Sequence, residues 1–393
     1  MSTTVKAHGL DGTWTQPDWP ALTQDEVRRV LAGFPELLPP FRIISVSPRP
    51  LSAAGVVLTR EGRVFVKRHA HVVRDAEGLR KEHRFMQYLR GHGAAVPLVL
   101  ADMHGETAVE SGDWTYEVHE VPDGMDAYEE AISWTPFRCA EHARAAGKAM
   151  ARLHLAAEGY DAPARANRAL VAGFSIYPAP DARAAFDAYV DARPALRAYL
   201  ASRNCREEAL ELLTLFHADL LPLLPRLTPL WTHNDLHPSN LFWSDPSEQA
   251  AVTATIDFGL CDRTNALHDI AHAIERSVVD WLALVNDPAH PEKVAVHFDH
   301  LSALLEGYES VRPLSAVEAR ALAPMLALCH AEFALSETDY FLSVLHSEDK
   351  AWYACEGYLV LHARWWRGEG AKLLDAIRRW AETLDMDQGA LQT

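Results

Sequence analysis

The segment Trp231-Thr232-His233-Asn234-Asp235-Leu236-His237-Pro238-Ser239-Asn240 is followed, seventeen residues after Asn240, by Asp257 in Ile256-Asp257-Phe258-Gly259. Between them, Asn240-Leu241-Phe242-Trp243 and Ala251 to Ile256 read as two short strands joined by the turn Asp245-Pro246-Ser247. A hairpin of that length brings Asn240 beside Asp257. Asp235, five residues earlier on the entering loop, must then lie close to both.

An amide oxygen and a carboxylate side by side are hard oxygen ligands, suited to Mg²⁺ held on nucleotide phosphates. A carboxylate at Asp235 could accept the proton of a hydroxyl presented to that metal. An isolated D-x-x-x-x-N is common loop chemistry, because Asp and Asn favour turns. Its weight here comes from His233 in front of it, the strand-turn-strand context and the terminal D-F-G. A second conjunction lies upstream. Lys67 ends the run Val64-Phe65-Val66, and Glu82 falls on the Leu79/Met86 stripe of the following helix. A carboxylate turned toward a core needs a partner, and Lys67 is the expected one.

The hydrophobic period changes once along the chain. Thr23-Gln24-Asp25-Glu26 is a capping box opening a short helix, and the first forty residues read as a helical extension. Residues 41–122 hold short β-branched runs and one helix, Asp75 to Gly93. Residues 123–393 are mostly helical, clearest at Phe137 to Ala157, Pro180 to Ala201 and Arg206 to Leu221. The expectation is an α+β, bilobal molecule: a small β-rich lobe for nucleotide, then a large helical lobe for catalysis and acceptor binding.

A net charge of −17 repels phosphate backbones and anionic lipid, which excludes nucleic acid and membrane as favoured partners and suits a cationic small molecule. The five cysteines lie too far apart for C-x-x-C sites or a disulfide framework, and a cytoplasmic protein is expected.

Taken in order, Lys67, Glu82, His233-x-Asp235-x-x-x-x-Asn240 and Asp257-Phe258-Gly259 resemble the aminoglycoside phosphotransferase and choline kinase superfamily, kinases of small molecules with a protein-kinase-like fold. The resemblance implies ATP and Mg²⁺ as cofactors, Asp235 as catalytic base, Asn240 and Asp257 as metal ligands, Lys67 on the ATP phosphates and Glu82 positioning Lys67. It also implies that Trp114 to Glu120, with Glu117 and Val118 at its centre, is the hinge strand whose backbone meets adenine. Leu153-His154 and Asp269-Ile270-Ala271 resemble further structural signatures. Two departures stand out. Asn234 occupies a position where the family often has Gly, and Pro50 to Val57, which should cover the phosphates, contains only Gly55.

Substrate choice is expected in the C-terminal third. His330 to Leu342 resembles a helix of the subgroup holding type II homoserine kinases, hydroxylysine kinases and a bacterial stress-response Ser/Thr kinase. There Glu332, Glu337 and Asp339, beside Tyr340 and Phe341, could receive an ammonium group by ion pairing and cation–π contact, although solvated acids are the commoner case. Trp352, Trp365 and Trp366 could line a pocket or simply pack helices. The expected reaction is transfer of the ATP γ-phosphoryl group to the hydroxyl of an amino alcohol, amino acid or aminoglycoside. A Ser/Thr protein kinase of the same fold and a nucleotide-binding pseudokinase are the alternatives. More remote is a zinc hydrolase, because His268-Asp269-Ile270-Ala271-His272 has the i, i+4 histidine spacing of H-E-x-x-H.

Overall fold

The β-branched runs of the first lobe form one antiparallel sheet of five strands in the computed structural model, which describes residues 7–165 and 169–390. A small hairpin, β1 (Ala7–His8) with β2 (Trp14–Thr15), and helix α1 (Gln24–Leu31) come first. The sheet strands are β3 (Arg42–Val46), β4 (Ala53–Leu58), β5 (Arg63–Ala70), β6 (Val109–Ser111) and β7 (Trp114–Glu120), in the spatial order β3-β4-β5-β7-β6. The helix expected over Asp75 to Gly93 is α2 (Ala76–Gly91), started by the Asp75 carboxylate accepting from Gly78 N at 2.8 Å.

Alternation along the strands decides the first core. Val57, Val64, Val66, Tyr116 and Val118 are buried together with Val27, Val30 and Leu31 of α1, whose N-terminus carries the expected Thr23/Glu26 capping box. Gly55 has a backbone reason rather than a phosphate one. A Cβ there would sit 2.6 Å from the Ser45 carbonyl oxygen, where the β3–β4 register shifts.

The first forty residues are not a simple helical extension. Their hairpin and following coil reach the far lobe, with Trp19 Nε1 donating to Tyr340 Oη at 3.1 Å and Lys350 paired with Asp18. Residues 1–6 of that segment lie outside the described residues.

Between β7 and residue 343 the α-helices are α3 (Ala140–Ala157), α4 (Ala182–Asp191), α5 (Pro194–Ala201), α6 (Cys205–Leu220), α7 (Ala266–Val278), α8 (Trp281–Asn286), α9 (Phe298–Glu309), α10 (Ala316–Leu328) and α11 (His330–Ser343), and the longest helix, Ala371–Ala390, closes the described chain. The expected Pro180 to Ala201 segment is thus two helices, broken where Pro194 can only start a new one. Two short antiparallel pairs interrupt the helices. These are β8 (Pro229–Thr232) with β11 (Asp262–Asn265), and β9 (Leu241–Trp243) with β10 (Val252–Thr255).

Trp365 and Trp366 pack against Trp281 rather than forming an open pocket. Cys205 and Cys355, remote in sequence, meet with their sulfurs 3.0 Å apart as free thiols. No helix among the described residues is long and apolar enough to cross a membrane.

Helix α3 lies against α9 at a crossing where two glycines let backbones touch. A Cβ on Gly147 would collide with the Leu304 carbonyl, and one on Gly307 with that of Arg144. Backbone cannot move aside cheaply, so Gly147→Ala is expected to cost about 1–3 kcal/mol in urea unfolding. Gly91→Ala, at a helical position with open space around it, should be neutral or slightly stabilising in the same measurement.

Candidate active site

The loop between β8 and β9 is held from below by one buried carboxylate. Asp269, in the first turn of α7, accepts from His233 N at 3.0 Å and Asn234 N at 2.8 Å. His154 Nε2 lies 2.9 Å from the same carboxylate, and Tyr308 Oη lies 2.8 Å from Nδ1 of that ring. Burial would raise the Asp269 pKa, but the His154 hydrogen bond and charge outweigh it and bring the group down to about 2.

Asn234 has φ of 62°, in the left-handed region that Gly occupies freely and Asn tolerates, which explains why Asn can stand where the family often has Gly. Its side chain uses the position well, accepting from Thr232 Oγ1 at 2.8 Å and donating to Leu260 O at 3.2 Å.

Asp235 emerges from this loop into a cleft of about 340 Å³ that Lys67, Asn240 and Asp257 also line. The hairpin joins the two metal-ligand candidates as expected: Leu241 pairs with Thr255, and Ile256 N donates to Asn240 O at 2.9 Å. Asn240 itself sits on a short 3₁₀ turn, Pro238–Asn240, where its Nδ2 donates to Asp235 O at 2.8 Å and leaves the amide oxygen available. Phe258 is the apolar peg of this end, packed against Phe85 of α2 and His233.

Lys67 Nζ donates to Asp257 Oδ1 at 2.8 Å. Burial opposes the Asp257 charge, yet the Lys67 ammonium overcomes it and holds the carboxyl at about 2. Burial likewise opposes the Lys67 charge, but Asp257 and then Glu117 more than compensate, so the ammonium is favoured beyond its ordinary value.

The expected Lys67–Glu82 pair is not formed. Glu82 is buried on the stripe of α2 as anticipated, but two arginines reach it first: Arg74 Nε at 3.1 Å and Arg165. Arg74 also donates to the carbonyls of Leu170 and Gly259, so this charged knot ties α2 to the residues behind Phe258.

The hinge expectation shifts as well. Glu117 and Val118 lie inside the sheet, paired with Lys67 and Val66, and Val118 O already accepts from Leu100 N at 2.8 Å. Backbone able to face adenine begins only past Glu120, where the strand ends. The Glu117 side chain is turned to three histidines, His69, His83 and His119.

Of the three acids expected at the acceptor, Glu337 alone reaches the cleft. Glu332 is a structural latch, accepting from Ser175 N at 2.7 Å, Ser175 Oγ at 2.8 Å and Ile176 N at 3.2 Å. Asp339 faces Arg193 at 4.0 Å beside a separate cavity. The correction is geometric: on α11, residues two and five positions from Glu337 cannot share its face. His268 and His272 meet edge-on at 4.6 Å, but among the described residues they belong to no group of three potential ligands, and Asp269 is committed to the loop.

Residues 54–314 match the phosphotransferase enzyme family. The chain belongs to that family. It is 28% identical over 250 residues to a homoserine kinase of Gluconobacter oxydans (strain 621H), covering 60% of this chain and 63% of that protein, slightly under two thirds of its length. It is also 28% identical over 307 residues to a homoserine kinase of Phenylobacterium zucineum (strain HLK1), covering 78% and 81%. Among solved structures it resembles amicoumacin kinase hAmiN, described in complex with AMP-PNP, Ca²⁺ and Ami, with a TM-score of 0.54 and 15% identity over 92% of this chain and 94% of that one. That likeness is one of fold.

Two cleft residues of this phosphotransferase escaped the sequence reading. Arg276 of α7 is buried, lines the cleft and pairs through Nη1 with Asp235. Its signal was available: it lies seven residues after Asp269, on the same helical face. Arg49, in the β3–β4 connection, brings a guanidinium to the cleft where glycine amides were sought, and contacts His8 Nδ1 at 3.0 Å.

Asp269 also makes a testable stability statement. A carboxyl ordinarily near 3.8 and held at about 2 in the fold contributes stability that is present above the unfolded value and lost as pH falls through the folded one. The stability gap between the wild type and Asp269→Asn is therefore expected to narrow by about 2 kcal/mol from about pH 5 toward about pH 2. Urea unfolding across that range measures it.

Proposed function

We propose that this phosphotransferase moves the γ-phosphoryl group of ATP to the hydroxyl of a small amine-bearing molecule, with a hydroxylated amino acid the leading acceptor. The observation that carries the reading is the Asp235 carboxylate, set in the cleft between the Asn240/Asp257 pair and the Arg276/Glu337 pair. One side offers oxygen donors for a metal nucleotide, the other opposite charges for a small acceptor.

Asn240 Oδ1 and the ionised Asp257 are hard donors that fit Mg²⁺, which when bound would neutralise charge on the nucleotide phosphates. Lys67 supplies a fixed ammonium at the same end, and Arg49 a guanidinium. Asp235 orients the acceptor hydroxyl and takes its proton as the oxygen attacks phosphorus. His237, 4.0 Å from the Asp235 carboxylate, is kept neutral by burial and by Arg49, so Arg276 is the cation that pairs with Asp235.

At the acceptor end, Glu337 is buried, and burial pushes its carboxyl up to about 7 although Arg276 opposes the shift. Such a group gains most from an ammonium partner. The Arg276 guanidinium, which lines the cleft, suits a carboxylate. Together they fit the two charges of an amino acid better than an amino alcohol or aminoglycoside, and the homoserine kinase relatives support the same choice.

In an ATP-consumption assay over hydroxylated amino acids, amino alcohols, aminoglycosides and sugars, turnover should favour the first group. Asp235→Ala should lower kcat by about 10²–10⁴-fold while leaving Mg·ATP affinity within a few-fold. Retention of wild-type turnover would remove Asp235 from its role. Asp257→Ala should weaken Mg·nucleotide binding as well as rate, and unchanged affinity would count against the metal site.

Glu337 adds a pH dependence. Its protonation below about pH 7 removes the anion facing the amine, so KM for an amine-bearing acceptor should rise as pH falls through that value. Glu337→Gln should have a raised KM with that dependence flattened; a KM profile identical to wild type would place the amine elsewhere.

A further inference from the structure

Beside Lys67, on the same face of the sheet, three histidines from three elements converge on a single carboxylate. Glu117 Oε1 lies 2.9 Å from His69 Nε2, and Glu117 Oε2 lies 2.8 Å from His83 Nε2 and 3.0 Å from His119 Nε2. His69 belongs to β5, His83 to α2, and Glu117 and His119 to β7. His83 and Glu117 are buried, and His119 is 12% exposed at the rim. The phosphoryl transfer described above uses none of the three histidines, and Glu117 only through the charge it sets near Lys67.

We propose that His83, His119 and Glu117 form a binding site for a zinc-type divalent cation, separate from the nucleotide metal. The donor atoms of His83, Glu117 and His119 all lie within 4.8 Å of one another. A tetrahedral zinc with bonds of about 2.0–2.2 Å separates its ligand atoms by about 3.3–3.5 Å. The His–Glu contacts need open by only about half an ångström to admit it.

The donor set selects the ion. Imidazole nitrogen with one carboxylate oxygen suits zinc and neighbouring transition metals, and disfavours Mg²⁺ and Ca²⁺. Binding requires each ligating Nε2 to give up its hydrogen, either to solvent or by a change of tautomer to Nδ1. His83 is already arranged for this. Its Nδ1 lies 2.9 Å from Thr107 Oγ1, which can accept that proton's hydrogen bond and fix the ring, as partners of metal-bound histidines do. A cation there would pin α2 to β7, and so brace the sheet in which Glu117 stands opposite Lys67.

The test uses the full chain stripped of metal with a chelator and titrated with zinc chloride against a chromophoric competitor. The expected result is one equivalent bound with Kd below about 1 µM, and a thermal midpoint raised by zinc. In His83→Gln and His119→Gln the amide Nε2 still donates to Glu117, which preserves the hydrogen-bond network but removes a ligand. Each should weaken zinc at least about 100-fold and abolish the thermal shift.

His300→Gln, in the separate His297/Asp299/His300 cluster, and Asp257→Asn should bind zinc as wild type does. Failure to bind one equivalent, wild-type affinity in both glutamine variants, or loss on His300→Gln or Asp257→Asn instead would overturn the proposal. None of these outcomes bears on the phosphoryl-transfer reading.

Discussion

One ionised carboxylate, Asp269, sets the geometry on which the active site depends. It is wholly buried, and its charge is kept by the His154 ring and two backbone N–H groups. Those N–H groups belong to His233 and Asn234, so satisfying the charge fixes the backbone one residue before Asp235. The helix that presents Asp269 also presents Arg276 two turns later, and α7 therefore grips the Asp235 loop at its base and at the Asp235 carboxylate. Helix α3, which carries His154, comes close enough because glycines line its crossing with α9.

The charges of the small lobe follow a different logic. A buried carboxylate without a partner costs several kcal/mol, so every acid there is claimed by the nearest available cation or donor. Glu82 is claimed by Arg74 and Arg165 and Glu117 by three imidazoles, while across the lobe boundary Lys67 claims Asp257. The Glu82 knot links α2 to the backbone behind Phe258, while Phe85, Met86 and Leu89 of the same helix pack with Phe258 and Trp231. The two lobes are thus coupled through α2 by both apolar contact and charge.

Much of this was legible in the residues. The hairpin joining Asn240 to Asp257 followed from two short apolar runs around Asp245-Pro246-Ser247, because strand pairing over a turn is local. The capping box of α1, the extent of α2 and the change from β to helical period at the lobe junction were local for the same reason. The Lys67–Glu82 pairing failed because Arg74 and Arg165, far apart in sequence, arrive through the loop before α2 and the coil that follows α3. Glu332 and Asp339 failed because one helix turns successive acids to different neighbours, and only packing says which neighbour is a cleft.

What the sequence by itself determined is the set of groups able to do chemistry and their local order: Asp235, then Asn240, then Asp257, on a loop and hairpin whose pairing needs no distant partner. What only the tertiary structure decided is which charge meets which. Arg276 on Asp235, Lys67 on Asp257, Glu337 in the cleft and three histidines on Glu117 all join residues from separate elements. Hydrogen bonds between buried charges form within about 3 Å, and such closeness across elements is set by how helices and sheet pack, which no spacing along the chain encodes.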